Sequence, residues 1–570
     1  MLALAVAVLV TDPRVGRTAH APPLTTTAGV VAADDPTASA VGAAVLADGG
    51  SAADAAIATV LALGVVNPTS SGIGGGGFAI VYDAATATTR AYDFRETAPA
   101  ALDPSDFVRG GVLDPELSQS GGLAVGVPGE IAGLATLSRA HGRLSWRRVV
   151  TPAARLARDG VPTSWFLAQA ARRVVPELGT APADAPLRAL LTTDGAQPRR
   201  WGDPLVRPAL ARTLAAIARD PDALSRGPLA EDLIATTTAA GGVMTLADLA
   251  DYRVAERAPL VGQWRGFTLA TMPIPSSGGA VLLEMLGILD RTAVDLPKLG
   301  LGSSAAFHYL IEVGKHGFAD RARALGDTDA GRAAAAAMLD PATLARLAKS
   351  IRADRVAPIE SYGGLVKTAP VATVKTGPGG TSHVCVIDRD GNAVALTTTV
   401  NGYFGSTLVT AGGVVLNNQM DDFALAPDVA NMFELVQSAS NLVGPGKRPL
   451  SSMTPVLVLR DGKVVGCVGG SGGPRIISNV FQVLVDIFWF GLDPRAAVES
   501  PRLHHQWSPD AVSADADITA DVRAGLTARG HKVVTGPSIT AVQAIRVNAD
   551  GALEAASDPR KNAAPAAPAQ

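Results

Sequence analysis

The chain has 570 residues, 47% of them hydrophobic and 18% charged, enough apolar surface for a large buried core and more than one domain's length. A formal net charge of −3 gives no electrostatic case for nucleic acid or anionic lipid as a partner. Two cysteines, Cys385 and Cys467, cannot build a disulfide framework or a zinc cluster. Both lie in apolar, strand-like stretches and are expected as buried small hydrophobes, with a single bridge between them left open. Composition points to a globular protein acting on something small.

The first ten residues, Met1 to Val10, read as the apolar centre of a secretory signal, and Ala19-His20-Ala21 supplies a small-residue cleavage pattern. A basic start is missing and Asp12, Pro13 and Arg14 intervene, so residues 1–27 are expected as a signal peptide or N-terminal extension of a periplasmic or secreted protein. The only other apolar run of note, 480–490, is short and carries Gln482 and Asp486, so no membrane span is expected in the mature chain.

Ser51-Ala52-Ala53-Asp54 is a capping-box start to an apolar helix running toward Val66. The run Gly72 to Gly77 contains the G-x-G-x-x-G spacing, but with a helix before it and strands after it, at 78–82 and 89–94. A dinucleotide site needs the reverse order, so the run is a plain turn or a loop that brings backbone amides close to a ligand. Pro128 and Glu130 open another helix that Gly142 closes, and the Ala-rich stretch 333–348 reads as an exposed or lightly packed helix. Gly363-Gly364 and Gly377-Pro378-Gly379-Gly380 mark a mobile or strained linker.

After Gly380 the pattern turns to strand pairs: 382–388 and 393–399 around Asp390-Gly391, then 455–459 and 464–468 around Asp461-Gly462, and again near Asp550-Gly551. A long apolar helix over 475–490 separates them. Hairpins with helices between them predict antiparallel sheets covered by helical layers. Residues 561–570, rich in Ala and Pro, are expected as a disordered tail. His504-His505 read as structural or surface histidines, and His383, two places after Thr381, as a packing residue.

The chemistry lies in a set of segments. Gly380-Thr381-Ser382-His383 begins a strand after a glycine-rich loop, and Thr397-Thr398-Thr399-Val400-Asn401 ends its partner. Asn417 to Phe423 clusters amides and carboxylates, and Arg448-Pro449-Leu450-Ser451-Ser452-Met453 presents adjacent hydroxyls. Gly469-Gly470-Ser471-Gly472-Gly473-Pro474-Arg475 places free backbone N–H groups before a helix, where an oxyanion fits. Asp93-Phe94-Arg95-Glu96 ends a strand with an arginine able to grip a carboxylate bidentately. Singly, each has a dull explanation as cap, turn or surface ion pair.

Together and in this order they resemble the γ-glutamyltransferases, also called γ-glutamyl transpeptidases, from about Asp34 to Arg560. The most specific signatures are Leu416 to Phe423 and Lys447 to Met453. The resemblance implies an α+β fold, the four-layered αββα sandwich of N-terminal-nucleophile hydrolases, with no cofactor and no metal ion. It implies self-cleavage between Gly380 and Thr381 into a large piece, 28–380, and a small catalytic piece, 381–570, that stay together as a heterodimer. Thr381 becomes the nucleophile, Thr399 bonds its hydroxyl, and the N–H groups of Gly472 and Gly473 hold the oxyanion. Arg95, Ser451 and Ser452 take the substrate's α-carboxylate, and Asn401, Gln419 and Asp422 its α-ammonium.

The implied substrate is a glutathione-like γ-glutamyl amide, with water or an amine as acceptor and no nucleic acid. The alternative on the same scaffold is a glutaryl or cephalosporin acylase. Such acylases take groups lacking the α-amine and depart from the family where this chain keeps Asp422. The stretch Pro427 to Val443 resembles the family's lid, with Phe433 where a tyrosine often gates the pocket. A third reading is an uncut precursor that only binds ligands.

Overall fold

The structure, a computed structural model, describes residues 22–365, 379–427, 429–536 and 540–569. The expected signal centre and most of the glycine-rich linker before Thr381 lie outside these residues. Two antiparallel sheets form the centre. One is seven-stranded, in the order Leu24–Thr26, Leu553–Ser557, Ala541–Val547, Lys463–Ser471, Val456–Arg460, Phe267–Thr271, Leu260–Trp264. The other is six-stranded, in the order Gly29–Ala33, Gly379–Asp388, Ala393–Gly402, Gly76–Asp83, Thr88–Phe94, Ala255–Arg257.

The alternation of strand side chains sets the layers. Val30, Ala32, Cys385 and Ile387 of the six-stranded sheet meet Leu457, Cys467 and Ile545 of the other in a core between the sheets. The intervening residues Val31, Ala33, Val384 and Val386 face outward onto helix Ala52–Val66. On the far side, Val456, Val458 and Val468 pack against helices Ser277–Arg291, Ser304–Ala324 and Arg475–Phe488. The result is helix, sheet, sheet, helix. Strands buried on both faces explain why the sequence shows continuous apolar runs rather than alternation. The Ala/Gly content serves close packing: a Cβ on Gly42, in helix Pro36–Ala47, would lie 2.2 Å from Thr59 Oγ1 of its neighbour helix.

Several expectations need correction. The Ala-rich stretch is two helices, Asp329–Met338 and Pro341–Ser350, because Asp340 caps the second, accepting from Thr343 N, and Pro341 cannot continue the first. The C-terminal segment is not a free tail. Lys561 is buried, and Ala566 exchanges backbone hydrogen bonds of 2.8 and 2.9 Å with Val31, covering the open edge of strand Gly29–Ala33. Residues 24–26 pair with 553–555, so the folded body starts ahead of position 28.

The histidines are structural and none of the three is at the surface. His504 bonds Ser478 and Gln506, His505 bonds Asp510, and burial lowers the pKa of both. His383 bonds Thr397 Oγ1 at 2.8 Å, and its ring fills the space where a Cβ on Gly469 would stand 2.2 Å away. Cys385 and Cys467 are buried free thiols. Among the described residues no helix is long and apolar enough to cross a membrane.

Candidate active site

Strands Gly379–Asp388 and Ala393–Gly402 form one hairpin, and a register shift between Gly380 and Thr381 sets Thr381 opposite Thr399. Such a bulge re-aims a side chain that regular pairing would leave in the ladder. Thr381 Oγ1 lies 2.8 Å from the carbonyl oxygen of Gly380 and 3.0 Å from Thr399 Oγ1. Thr399 Oγ1 donates to the same carbonyl at 2.5 Å and accepts from Asn401 N at 2.8 Å.

Proton counting orders this cluster. A carbonyl only accepts, so the single hydroxyl proton of Thr399 is committed to Gly380 O. The one proton of the Thr381 hydroxyl is donated to Gly380 O at 2.8 Å or turns to the lone pair left on Thr399 Oγ1 at 3.0 Å. Asn401 holds φ of 75°, a left-handed conformation that asparagine tolerates, and its Nδ2 donates to Asn418 O.

The glycine run is support rather than a ligand loop. A Cβ on Gly75 would sit 1.9 Å from Thr399 O and one on Gly74 2.2 Å from Val415 O, so bare backbone is the only thing that fits behind Thr399. Asn417 locks the run in place, donating to Gly74 O and Gly126 O and accepting from Gly126 N and Gln419 N.

Arg95, Thr381, Thr399, Asn401, Gln419, Asp422, Ser451, Ser452 and Gly473 all line one narrow cavity of about 20 Å³. Gly380 and Gly472 do not line it. Gly472 and Gly473 have φ of 127° and 60° just ahead of helix Arg475–Phe488, and their N–H groups have no acceptor among the described residues. The ring of Phe433 lies against Gly473, 3.1 Å from where its Cβ would be, and closes the cavity from the lid side.

At the other end Arg95 and Asp422 form a short ion pair. Arg95 is held by Asp93 Oδ1 accepting from its N–H, by Tyr252 donating to its carbonyl, and by its own Nε donating to Pro449 O. The short helical turn Gln419–Asp422 aims Gln419 Nε2 at Asp422 Oδ2, 2.8 Å away, and leaves Gln419 Oε1 buried without a partner among the described residues. Burial raises the Asp422 pKa, opposed mainly by Arg95 and then Arg321. Burial pushes neighbouring Glu96 up to about 7, and neither of its carboxylate oxygens has a hydrogen-bond partner among the described residues. It pushes Asp421 to about 8, with the charge of Asp422 adding to the shift.

Sequence reasoning missed three contributors. Lys561 Nζ donates to Thr381 O and to Asp34 Oδ2, each at 2.7 Å, so the C-terminal segment braces the strand that carries Thr381. Asp34 also accepts from Gln543 Nε2 and His383 N. The signal for Lys561 was the charged cluster Asp558-Pro559-Arg560-Lys561, set at the start of an otherwise uncharged tail. Arg321, in helix Ser304–Ala324, donates to Ser452 Oγ; no local motif announces it. Two buried groups, His383/Cys385/Cys467 and His308/Glu312/His531, bring metal-ligand atoms within 4.8 Å of one another, and neither lines the cavity.

The profile of the gamma-glutamyltranspeptidase family matches residues 38–567. The glutathione hydrolase proenzyme of Escherichia coli is 39% identical over 536 residues, covering 93% of this chain and 90% of that protein. A crystal structure of cephalosporin acylase from Bacillus halodurans superposes with a TM-score of 0.83 at 26% identity, covering 99% of this chain and all of that one. The gamma-glutamyltranspeptidase of Helicobacter pylori superposes with a TM-score of 0.55 at 31% identity, covering 61% of this chain and 96% of that one. The layered architecture is that of the N-terminal-nucleophile hydrolases. On the full-length match of profile and sequence, the chain belongs to the gamma-glutamyltranspeptidase family.

Proposed function

We propose that the chain cuts itself before Thr381 and then works as a γ-glutamyl hydrolase and transpeptidase on glutathione-like amides. The observation that carries this reading is the Thr381 hydroxyl held against both the Gly380 carbonyl and Thr399. In the first step Thr381 Oγ1 bonds to the Gly380 carbonyl carbon. Its proton passes to Thr399 Oγ1 as Thr399 hands its own proton on to Gly380 O, so Thr399 ends the step neutral. Collapse breaks the C–N bond while that proton moves from the oxygen to the departing α-amine, and water then hydrolyses the resulting ester to a Gly380 carboxylate and the free hydroxyl of an N-terminal Thr381.

That α-amine, with an ordinary pKa near ~7.7–8.0, then serves as base for its own hydroxyl. Attack on a γ-glutamyl amide places an oxyanion at the N–H groups of Gly472 and Gly473, a contribution typically worth about 10²–10³ in rate per donor. Water or an amine resolves the acyl-enzyme. Arg95, Ser451 and Ser452 hold the α-carboxylate; Asn401, Gln419 and Asp422 hold the α-ammonium. The piece ending at Gly380, with strand Leu24–Thr26 included, and the piece 381–570 remain a heterodimer, and the N-terminal apolar run supports a periplasmic or secreted setting. The coverage of the H. pylori chain supports the cut: nearly all of it matches, yet it accounts for only 61% of this chain.

The acylase reading is favoured by the superposition on the B. halodurans structure. Against it stands Asp422, a buried carboxylate in the cavity wall with an unsatisfied amide oxygen beside it, a setting that calls for a cationic ligand group. Kinetics on γ-glutamyl and glutaryl anilides decide between the two. Denaturing electrophoresis with N-terminal sequencing tests the cut: two fragments, the smaller beginning at Thr381, and a single chain for Thr381→Ala. Wild-type protein that stays whole while turning over substrate overturns the mechanism.

A further inference from the structure

Arg321 is 1% exposed and donates through Nε to Ser277 Oγ at 2.9 Å and through Nη2 to Ser452 Oγ at 3.3 Å. A guanidinium has no lone pair to offer, so both hydroxyls must accept from it. Ser277 spends its own hydroxyl proton on Ser451 O at 2.6 Å, and its N–H donates to the same carbonyl at 2.8 Å. Ser451 Oγ in turn accepts from Met453 N at 3.0 Å. The hydroxyls of Ser451 and Ser452 are therefore both engaged as acceptors from behind. No acceptor for either hydroxyl proton is found among the described residues, and both side chains line the cavity beside Arg95.

Charge gives Arg321 a second task. Arg95 is already matched by Asp422, and Glu96 lies 3.8 Å from it, so these groups alone offer an entering anion no net positive charge. Arg321 adds a cation at that end. Burial lowers its pKa to about 10, which leaves it charged at neutral pH, and its Nη1 has no hydrogen-bond partner among the described residues.

We propose that Arg321 is a positioning residue for carboxylate recognition: it turns the Ser452 hydroxyl outward as a donor, fixes the Ser451 backbone through Ser277, and supplies the charge that Arg95 has given to Asp422. This rests on the reading above that the Ser451–Ser452 end receives the substrate's α-carboxylate. Arg321 acts through the serines and takes no part in bond making.

The test compares γ-glutamyl-p-nitroanilide with γ-aminobutyryl-p-nitroanilide, which lacks only the α-carboxylate, on the self-cleaved enzyme and its Arg321→Met, Arg321→Lys and Ser452→Ala variants. Arg321→Met raises KM for the γ-glutamyl anilide about tenfold or more, with kcat changed less than about threefold, and leaves kcat/KM for the aminobutyryl anilide within about twofold. Arg321→Lys, which keeps the charge and loses the fork, recovers part of the loss. In a Ser452→Ala background, Arg321→Met costs less than it does in the wild type, because the part relayed through Ser452 is already gone while the charge and the Ser451 brace remain to be lost. Equal losses on both anilides, or full additivity with Ser452→Ala, overturn the proposal. If the Met variant does not yield two fragments on a gel, the Lys variant carries the same comparison. Wild-type enzyme indifferent to the carboxylate defeats the underlying reading itself, an outcome visible before any variant is made.

Discussion

Arg95 and Asp422, 327 residues apart in the chain, bond one another in the wall of the same cavity. Opposite charges held side by side complement a zwitterion; on the proposed reading its carboxylate would replace Asp422 as partner of Arg95 and its ammonium would replace Arg95 as partner of Asp422. Asp422→Asn keeps the shape and removes the charge that an α-ammonium needs. Losing one partner of a buried, hydrogen-bonded charge pair costs about 2–5 kcal/mol. The variant is expected to lose kcat/KM on γ-glutamyl anilide by that order while glutaryl anilide is little affected or gains. A uniform loss on both anilides would count against Asp422 as the ammonium's partner.

Thr399 donates its only proton to Gly380 O, and in the proposed mechanism it therefore acts in the cut before any turnover. Thr399→Val removes that donor at nearly constant volume. Removing one donor to a developing oxyanion costs about 10²–10³ in rate, so uncut precursor should accumulate and persist in a time course on denaturing gels. Thr399→Ser should cut at close to the normal rate. Prompt cutting by the valine variant would show that another group stabilises the carbonyl.

Lys561 joins Asp34 to the Thr381 carbonyl in a buried setting. Lys561→Met leaves Asp34 an uncompensated charge, a change that typically costs about 3–5 kcal/mol. Thermal melts should show a clear drop, and Asp34→Asn added to Lys561→Met should restore part of it. If the double variant melts below the single one, the charge pair is not the source of the effect.

Glu130 accepts both of its hydrogen bonds from Thr398 Oγ1, and burial pushes its pKa from 4.5 up to about 8. The folded state therefore holds the proton more tightly than the unfolded chain. The resulting stability is present in full below pH ~4.5 and is lost as pH rises toward about 8. Glu130→Gln keeps an acceptor for Thr398 and removes the titration. Its melting temperature should fall less than the wild type's between pH 5 and pH 8. Parallel slopes would mean that other groups set the dependence.

Much of this was legible from residues close in sequence. The capping box at Ser51, the hairpin turn at Asp390-Gly391 and the glycines before helix Arg475–Phe488 are local rules, and local rules survive folding. The lining of the cavity followed from motif resemblance, which encodes contacts that spacing alone does not. What stayed hidden depends on long-range charge compensation. Lys561 looked like the start of a loose tail because nothing nearby shows that Asp34, 527 positions earlier, requires a cation. Arg321 is equally silent: it reads as one more helix charge until the fold sets Ser277 and Ser452 against it. The Ala-rich helix was misjudged for a simpler reason, the weight given to propensity over Asp340-Pro341.

The strand orders carry one more consequence. In the six-stranded sheet the hairpin 379–402 runs between strands 29–33 and 76–83, and in the seven-stranded sheet 456–471 and 541–557 run between 24–26 and 260–271. The proposed cut before Thr381 would put strands 381–402, 456–471 and 541–557 on a separate chain, bordered on both sides in each sheet by strands of the other piece. Neither piece can leave without baring unpaired ladder groups on several strands at once. Mixing one preparation ruined at Arg95 with another ruined at Thr381 should therefore rebuild no working molecules by exchange, and damage to either half retires that one molecule alone.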